Sequence, residues 1–351
     1  MINRKIIKLY LMFKYGFIWK KPAYLKRLIA IYIKIGIKKD FMPVRGVDFA
    51  LNYTCNLRCE HCFDQTLIKS DNSKTMLPND YKRVAEEAMK LGCTYFGFQG
   101  GELFLRKDYL DAIKSVYPDQ NRITVTSNGL VVDEEKIKNL KNAGVDYMIF
   151  SIDSGIAEEH DKFRGVKGTF DKVMNAVRLC KKLDMKFTIN TTISHHNVKT
   201  KGFKKIVEFA EKNKVFVNTL FASPAGNWEK NTDVILNEDD KRYYAKMRKK
   251  YPFMVRDLDA SFKGWGCPAA KEVFYITPYG DILGCPFIQV SLGNIFNESF
   301  EVIKNRARKI KHFSYFPDKC LMAEDKNFVN EYFSFFDEKD QLPIPLRKTN
   351  W

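Results

Sequence analysis

Three cysteines stand close together in the chain, Cys55, Cys59 and Cys62, with the spacing C-x3-C-x2-C. They follow the apolar run 47–53, which is typical of a β-strand. Three thiolates on one short loop can bind three irons of a cubane 4Fe–4S cluster. The fourth iron then keeps a coordination position for a small molecule. The spacing therefore predicts reaction chemistry at a metal cluster as well as electron storage.

A structural zinc site is the alternative interpretation of this loop. Cys59 and Cys62 have the C-x2-C spacing of zinc sites, and Cys55 and His61 could complete four ligands. His61 lies directly beside Cys62, which strains a closed tetrahedral site, and no second C-x2-C pair occurs in the chain. The remaining sequence favours the cluster.

The motifs that follow the cysteines resemble those of the radical S-adenosylmethionine (radical SAM) superfamily, over residues 45–225. The resemblance rests on their order, because each motif comes at or shortly after the end of a short apolar run. These motifs are Gly100-Gly101-Glu102, Thr126-Ser127-Asn128-Gly129, Ser151-Ile152-Asp153-Ser154-Gly155 and His160-Asp161-Lys162-Phe163-Arg164-Gly165.

The resemblance implies that these motifs bind the cofactor. The fourth iron would take the amino and carboxylate groups of SAM. Glu102, in its Gly-Gly-Glu motif, is implied to meet the SAM amine, and Arg164 the SAM carboxylate. His61 is implied to pack on the adenine, and Ser127, Asn128 and Ser151 to line the ribose and adenine side. The other residues implied to bind the cofactor are Gly100, Gly101, Glu102, Asp153 and Arg164.

Alternating strand-like and helix-like segments fill the middle of the chain, which predicts parallel strands joined by crossover helices. The predicted strands are 48–53, 95–98, 123–126, 147–152, 186–192 and 216–221, and the predicted helices are 79–91, 109–116, 133–143, 170–183 and 201–213. Six such units match the α/β fold of the superfamily, a partial (β/α)6 TIM-like barrel. The motifs all fall at the carboxyl ends of the strands, where the active sites of such barrels lie.

A second metal site is predicted in the last third of the chain. Cys267 and Cys285 flank a predicted β-hairpin with the spacing C-x12-G-x4-C, and Cys320 follows a predicted helix over 300–311. This arrangement resembles the auxiliary-cluster domains called SPASM or twitch. It implies one auxiliary 4Fe–4S cluster whose fourth position is open or held by a ligand other than cysteine. The nearby candidates for that ligand are Asp318, Glu324 and Asp325.

Packing cysteines and a structural zinc site are the alternatives for this second group. Cys93 and Cys180 have apolar neighbours and are predicted to be core residues. The predicted organisation is an amino-terminal segment at 1–44, the barrel at 45–225, a helical connection at 226–262 and the auxiliary domain at 263–351, a small β-hairpin plus helix Fe–S unit. With 351 residues, 45% of them hydrophobic, the chain can build one large core and a smaller unit.

Residues 1–39 contain 11 Lys and Arg and no acid, whereas the whole chain has a net charge of +17. Ile7, Leu11, Tyr15 and Ile18 add apolar positions at helical spacing. Such a segment is typical of a helix on an anionic membrane surface. Contact with an acidic peptide or phosphorylated substrate, or packing against the barrel, are the alternatives. The sequence has no aromatic-rich RNA motif, which disfavours nucleic acid.

Clustered cysteines without a secretory signal indicate a reducing cytoplasm, with the inner membrane surface as the alternative location. The resemblance implies reductive cleavage of SAM to methionine and a 5′-deoxyadenosyl radical, with a reducing partner such as flavodoxin or ferredoxin. That radical would abstract hydrogen from a peptide or carbohydrate substrate, most simply for oxidation. The auxiliary cluster would accept an electron or bind the substrate directly.

A base is also needed for an oxidation, and the weak candidates are His195 and His196, just after the fifth predicted strand. Two further hypotheses remain open from the sequence. One is an enzyme that modifies a membrane lipid or lipid-linked sugar, suggested by residues 1–39. The other is a non-enzymatic Fe–S or zinc scaffold. Residues 190–262 contain no pattern typical of a sugar, peptide or lipid site.

Overall fold

The computed structural model describes residues 12–16, 18–38, 41–69, 73–260, 266–337 and 340–351. The predicted helical positions Ile7 and Leu11, and part of the basic segment 1–39, lie outside these residues, as does part of the predicted boundary between the connection and the auxiliary domain. None of the helices in the described ranges has the length and apolar composition that a bilayer-spanning segment needs.

A large mixed sheet forms the centre of the protein. The strands are β1 Gly46–Ala50, β2 Tyr95–Gln99, β3 Arg122–Ser127, β4 Tyr147–Ser151, β5 Lys186–Ile193, β6 Val217–Phe221, β7 Met254–Arg256, β8 Val273–Ile276, β9 Asp281–Leu283, β10 Val290–Ser291, β11 Gly293–Asn294 and β12 Ile344–Pro345. All of these strands except β10 and β12 belong to this sheet, and β10 and β12 pair with each other as a separate parallel sheet. Strands β1 to β7 are parallel neighbours in chain order. This confirms the predicted α/β partial barrel, to which β7 adds a strand that was not predicted.

The β8–β9 hairpin continues the barrel sheet. Strand β8 pairs in parallel with β1, so that Phe49 lies opposite Ile276, and β9 returns antiparallel to β8. Strand β11 then pairs with β9. The predicted auxiliary hairpin is therefore present, and it is hydrogen-bonded to the first strand of the barrel.

Helices surround the sheet. They are α1 Pro22–Ile37, α2 Pro78–Lys90, α3 Tyr109–Ser115, α4 Glu134–Asn142, α5 Ala157–Arg164, α6 Thr169–Lys182, α7 Lys201–Asn213, α8 Glu238–Lys250, α9 Phe300–Ala307, α10 Leu321–Glu324 and α11 Lys326–Phe333. The predicted ends of the five barrel helices agree with the observed ends within about two residues, which is the usual uncertainty of helix ends. Helix α5, which carries the Arg164 motif, was not predicted as a helix.

The core is built from side chains on both faces of the parallel strands, as expected where helices cover the sheet. The Phe49 ring packs against Phe96, Phe98 and Tyr81 with centroid distances of 5.1–6.0 Å. All four side chains are fully buried. This packing fixes β1, and therefore the loop that leaves its carboxyl end.

Helix α1 lies at the amino ends of the strands, opposite the motifs. Lys21 just before it donates to Asp146 Oδ2 (2.6 Å) and to the carbonyl of Gly144 (2.8 Å), directly before β4. Arg27 donates to the carbonyls of Cys93 (2.6 Å) and Gln120 (2.8 Å), before β2 and β3. The buried side of α1 therefore closes the end of the barrel that faces away from the predicted site.

Candidate active site

A cavity opens at the carboxyl ends of the parallel strands. Each of the strands β2 to β6 contributes side chains near its end, namely Gln99, Thr126 and Ser127, Ser151, Asn190 and Thr192, and Leu220 and Phe221. Cys55, Cys59 and Cys62 form another wall of the same cavity. The structure thus brings the cysteines and most of the predicted cofactor-binding residues to one place, although they are far apart in the chain.

The cysteine loop, which we define as residues 55–62, is held in place by three elements that are distant in the chain. One of them binds the loop through Phe63, the residue that follows it. The Glu60 N–H donates to the carbonyl of Phe163 at the end of α5 (2.9 Å). Asn227 Nδ2 donates to the carbonyl of Cys59 (2.9 Å). Gln289, from the segment after β9, donates through Nε2 to the carbonyl of Phe63 (2.9 Å). The barrel and the auxiliary hairpin therefore both position the loop.

Two glycines allow this close backbone packing. A Cβ at Gly101 would lie 2.3 Å from the Thr54 carbonyl oxygen. At Gly226, with φ +64°, a Cβ would lie 2.1 Å from the Cys62 carbonyl oxygen. The second glycine of the Gly-Gly-Glu motif thus has a steric role against the cysteine loop, independent of any contact with a cofactor.

Arg164 lies between a carboxylate and a thiol. Its guanidinium binds Asp153 Oδ2 through Nε (2.7 Å) and Nη2 (2.6 Å), and Nη1 lies 3.6 Å from Cys59 Sγ. Asp153 Oδ1 accepts from the Thr192 N–H (2.9 Å). Arg164 and Asp153 are both buried. The structure therefore places the positive charge of Arg164 beside one of the three predicted cluster ligands.

Glu102 lies behind the cavity wall. Its carboxylate accepts from Ser127 Oγ (3.0 Å to each oxygen) and from the Asn128 N–H (2.9 Å), and the side chain is 1% exposed. Burial raises the pKa of Glu102 to about 7, although these hydrogen bonds oppose the shift. Glu102 thus fixes the turn after β3, whose Ser127 and Asn128 side chains line the cavity.

The other predicted cofactor-binding residues also lie either in the wall of the cavity or behind it. Those that line the cavity are His61, Gly100, Gly101, Ser127, Asn128, Ser151 and Arg164, whereas Asp153 lies behind it with Glu102. The His61 ring stacks on Phe163 with centroids 4.7 Å apart and lies 5.8 Å from Trp228. Its buried Nδ1 has no hydrogen-bond partner among the described residues, so a ligand in the cavity could satisfy this polar atom.

The donor set fits an iron–sulfur cluster. Burial raises the pKa of the Cys55 thiol to about 11 and that of Cys62 to about 12, so that metal binding must displace their protons. In the part of the chain that the structure describes, no group of three or more His, Cys, Asp or Glu side chains converges as a single ion requires. The ligands of a cubane bind separate irons and need no such convergence. The zinc interpretation is therefore disfavoured.

Sequence reasoning missed several cavity residues. Asp64 is 4% exposed, lines the cavity and accepts from the Tyr275 hydroxyl at 3.2 Å; burial raises its pKa to about 7. Trp228 and Phe287 also line the cavity. Asn190 and Thr192 do so from β5, and their alternating spacing on a strand that ends at the site was the available signal. Trp228 and Phe287 carry no comparable signal.

The two candidate bases are not at the cavity. His195 Nδ1 lies 2.7 Å from Asp240 Oδ2, and the His195 side chain is 45% exposed. The backbone N–H of His195 donates to the Val234 carbonyl (3.0 Å), and this bond turns the segment toward α8. His196 packs beside His195 and is also exposed. A position after β5 was therefore insufficient to place either side chain at the cavity.

The auxiliary cysteines, Cys267, Cys285 and Cys320, pack together. They share a buried cluster with Leu258 and Ala269, and the Cys267 N–H donates to the Pro317 carbonyl (2.8 Å), close to Cys320. Three thiols from separate segments in one cluster fit a metal cluster better than random packing does. By contrast, Cys93 and Cys180 are fully buried in the barrel core, as predicted.

Known families match both parts of the chain. The radical SAM superfamily matches residues 51–210, and SPASM, an iron–sulfur cluster-binding domain, matches residues 267–325. An AdoMet-dependent heme synthase of Methanosarcina barkeri is 24% identical over 80% of this chain and 89% of its own length. The antilisterial bacteriocin subtilosin biosynthesis protein AlbA of Bacillus subtilis is 25% identical over 75% of this chain and 60% of its own.

Solved structures show the same fold. SuiB of Streptococcus suis, bound to the precursor peptide SuiA, matches 79% of this chain and 69% of its own with a TM-score of 0.60 and 16% identity. The structure of anSMEcpe with bound AdoMet and the Kp18Cys peptide matches 85% of this chain and 92% of its own, with a TM-score of 0.56 and 20% identity.

Proposed function

We propose that this chain, a radical SAM enzyme with a C-terminal SPASM domain, oxidises a peptide by hydrogen-atom abstraction. The observation that carries the proposal is one cavity bordered by both metal-binding segments. Cys62 lines it from the cysteine loop, and Phe287, two residues after Cys285, lines it from the auxiliary hairpin. The rings of Phe63 and Phe287 meet edge to face with centroids 5.3 Å apart.

The cofactors supply the reactive groups: when bound, SAM at the first cluster supplies a hydrogen-atom acceptor, and the auxiliary cluster supplies an acceptor for one electron. A peptide C–H bond breaks, and its hydrogen atom ends in 5′-deoxyadenosine. Loss of one proton and one electron completes a two-electron oxidation. Among the described residues, the auxiliary cysteines do not line the cavity. This favours electron acceptance over direct binding of substrate at the auxiliary cluster.

A peptide suits the cavity better than a polyanionic substrate does. Of the described residues that line it, the acidic and basic ones are Asp64, whose pKa burial raises to about 7, and Arg164, which is already paired with Asp153. The remaining polar groups, such as Asn190 and Thr192, can hydrogen-bond a peptide backbone. The peptide complex of SuiB and the subtilosin protein AlbA support this substrate class. The heme synthases, which align with most of the chain, make a tetrapyrrole the second candidate.

Stimulation of SAM cleavage tests the substrate class. The reconstituted protein receives SAM, dithionite and the small-peptide fraction of the cells that carry the gene, either intact or digested with protease. We expect the intact fraction to stimulate 5′-deoxyadenosine formation and to contain a peptide that loses two hydrogens. Equal stimulation by the digested fraction, or by an iron coproporphyrin alone, would contradict a peptide substrate. Absence of 5′-deoxyadenosine from a protein with intact clusters would instead favour the scaffold hypothesis.

A membrane contact through α1 is a separate proposal. Ile29, Ile33 and Ile37 are 54%, 57% and 75% exposed and lie on one side of the helix, beside Lys26 and Lys34. This face fits an anionic membrane surface. Because α1 closes the amino ends of the strands, docking there would turn the cavity away from the bilayer. The position of α1 thus disfavours a lipid substrate drawn directly from the membrane.

Vesicle binding tests the membrane contact. We expect the full chain to bind vesicles that contain phosphatidylglycerol and a variant with Ile29, Ile33 and Ile37 replaced by Ser to bind at least about tenfold less, because apolar burial and charge act together. The variant should still form 5′-deoxyadenosine at the parent rate, since α1 lies at the other end of the barrel. Equal binding of both proteins, or none by the full chain, would refute the contact.

A further inference from the structure

The segment after β7 packs against the auxiliary cysteines. Asp257 begins the short helical turn Asp257–Ala260, and its neighbour Leu258 packs in the same buried cluster as the three thiols. This segment lies between the barrel and the auxiliary domain in the chain. It was predicted only as part of a helical connection, without a role at the metal site.

Arg256, which precedes Asp257, is also held at the auxiliary site. Arg256 Nη2 binds Glu324 Oε2 at 2.6 Å, and Glu324 Oε2 also accepts from the Cys320 N–H at 2.9 Å. Arg256 and Leu258 therefore anchor both sides of Asp257 to elements that carry the auxiliary cysteines. The backbone at Asp257 cannot move away without breaking these contacts.

The Asp257 carboxylate has little else to bind. Within the described ranges it makes no ion pair, and it accepts one hydrogen bond, from the Leu258 N–H at 3.0 Å. Asp257 therefore lies between two residues that contact the auxiliary site, Arg256 through Glu324 and Leu258 through the buried cluster of the three thiols.

The acids suggested from the sequence are otherwise engaged. Glu324 holds Arg256 and the Cys320 N–H. Asp325 caps α11 through the N–H groups of Asn327 and Phe328, and it pairs with Lys319 at 3.1 Å; the Asp318 residue is exposed. Each of these three candidates would have to give up its present contacts or leave the solvent to reach a buried cluster.

We infer that the Asp257 carboxylate is the fourth protein ligand of the auxiliary cluster, together with Cys267, Cys285 and Cys320. This inference rests on the proposed function, because it takes an auxiliary cluster as its premise. Four protein ligands would leave no iron open to substrate. A closed coordination shell agrees with electron acceptance as the task of this cluster, since the ligand set tunes the reduction potential.

Iron retention tests the ligand directly and needs no enzymatic activity. The parent for the test is the full chain with Cys55, Cys59 and Cys62 replaced by Ala, so that all remaining cluster iron belongs to the auxiliary site. After anaerobic reconstitution and an EDTA challenge, we expect about four irons per chain in the parent and about three in its Asp257→Ala variant. Electron paramagnetic resonance (EPR) should then show a three-iron cluster in the Asp257→Ala variant only.

Two further variants separate ligation from folding. Asp257→Cys offers a thiolate at the same position and should retain about four irons. Asp259→Ala, which removes a carboxylate two residues away that pairs with Arg248, should also retain about four. Four irons and an unchanged EPR spectrum in Asp257→Ala would overturn the inference while leaving the proposed function intact. A parent without iron would overturn both, because no auxiliary cluster would then exist.

Discussion

Replacing Cys55, Cys59 and Cys62 together by Ala is expected to lower the iron content of the anaerobically purified protein from about eight to about four per chain. The same change should abolish 5′-deoxyadenosine formation with SAM and dithionite. The three thiols line one cavity, where the surrounding protein would enclose the cluster that they bind. Without them, no iron remains at the cavity to bind SAM.

The auxiliary cysteines provide the reciprocal experiment. Replacement of Cys267, Cys285 and Cys320 by Ala should also leave about four irons per chain, but SAM cleavage should persist because the cavity cluster remains. Replacement of Cys93 and Cys180, both buried in the barrel core, should leave about eight. An unchanged iron content after loss of the first three cysteines would refute the cluster assignment.

Replacing Arg164 by Met is expected to lower the free energy of unfolding by about 3–5 kcal/mol at neutral pH, the usual cost of leaving one partner of a buried ion pair uncompensated. Asp153 would lose both of its guanidinium contacts, and the Cys59 thiol would lose its nearby cation. Urea unfolding under anaerobic conditions measures the change. Arg178→Met, on the exposed face of α6, should change stability by less than about 0.5 kcal/mol.

The effect of Arg164 should depend on pH. Burial alone would raise the pKa of Asp153, but the charge of Arg164, with smaller contributions from His61, His160 and the Thr192 N–H, holds this pKa below the ordinary value. A carboxylate with a lowered pKa in the folded protein stabilises it above the pKa of the unfolded chain, about 3.9, and this contribution is lost as the pH falls through the folded pKa. The difference between the parent and Arg164→Met should therefore shrink in acid. A difference that grows below about pH 4 would contradict the ion-pair explanation.

The fold class followed from local patterns. Alternating apolar segments predicted the strands and helices because the periods of helix and strand are properties of neighbouring residues. The spacing of Cys55, Cys59 and Cys62 predicted a metal-cluster loop for the same reason, since covalent neighbours restrict how far apart the three thiols can lie. The motifs at strand ends were also placed correctly, because the carboxyl ends of parallel strands meet at one edge of the sheet.

Contacts between distant segments could not be predicted in this way. Arg164 lies 105 residues from Cys59 in the chain, and Gln289 lies 226 residues from Phe63, yet each pair is in contact. His195 shows that a correct position in the chain is not enough. It does follow β5 as predicted, but its side chain contacts Asp240 and does not reach the cavity.

The sequence by itself determined the barrel, the two groups of cysteines and the superfamily resemblance. Only the tertiary structure decided that the β8–β9 hairpin joins β1, that both metal-binding segments border one cavity, and that Leu258, beside Asp257, packs with the auxiliary cysteines. The physical reason is that local propensity fixes each element, whereas the packing of the whole core fixes which side chains of remote elements meet.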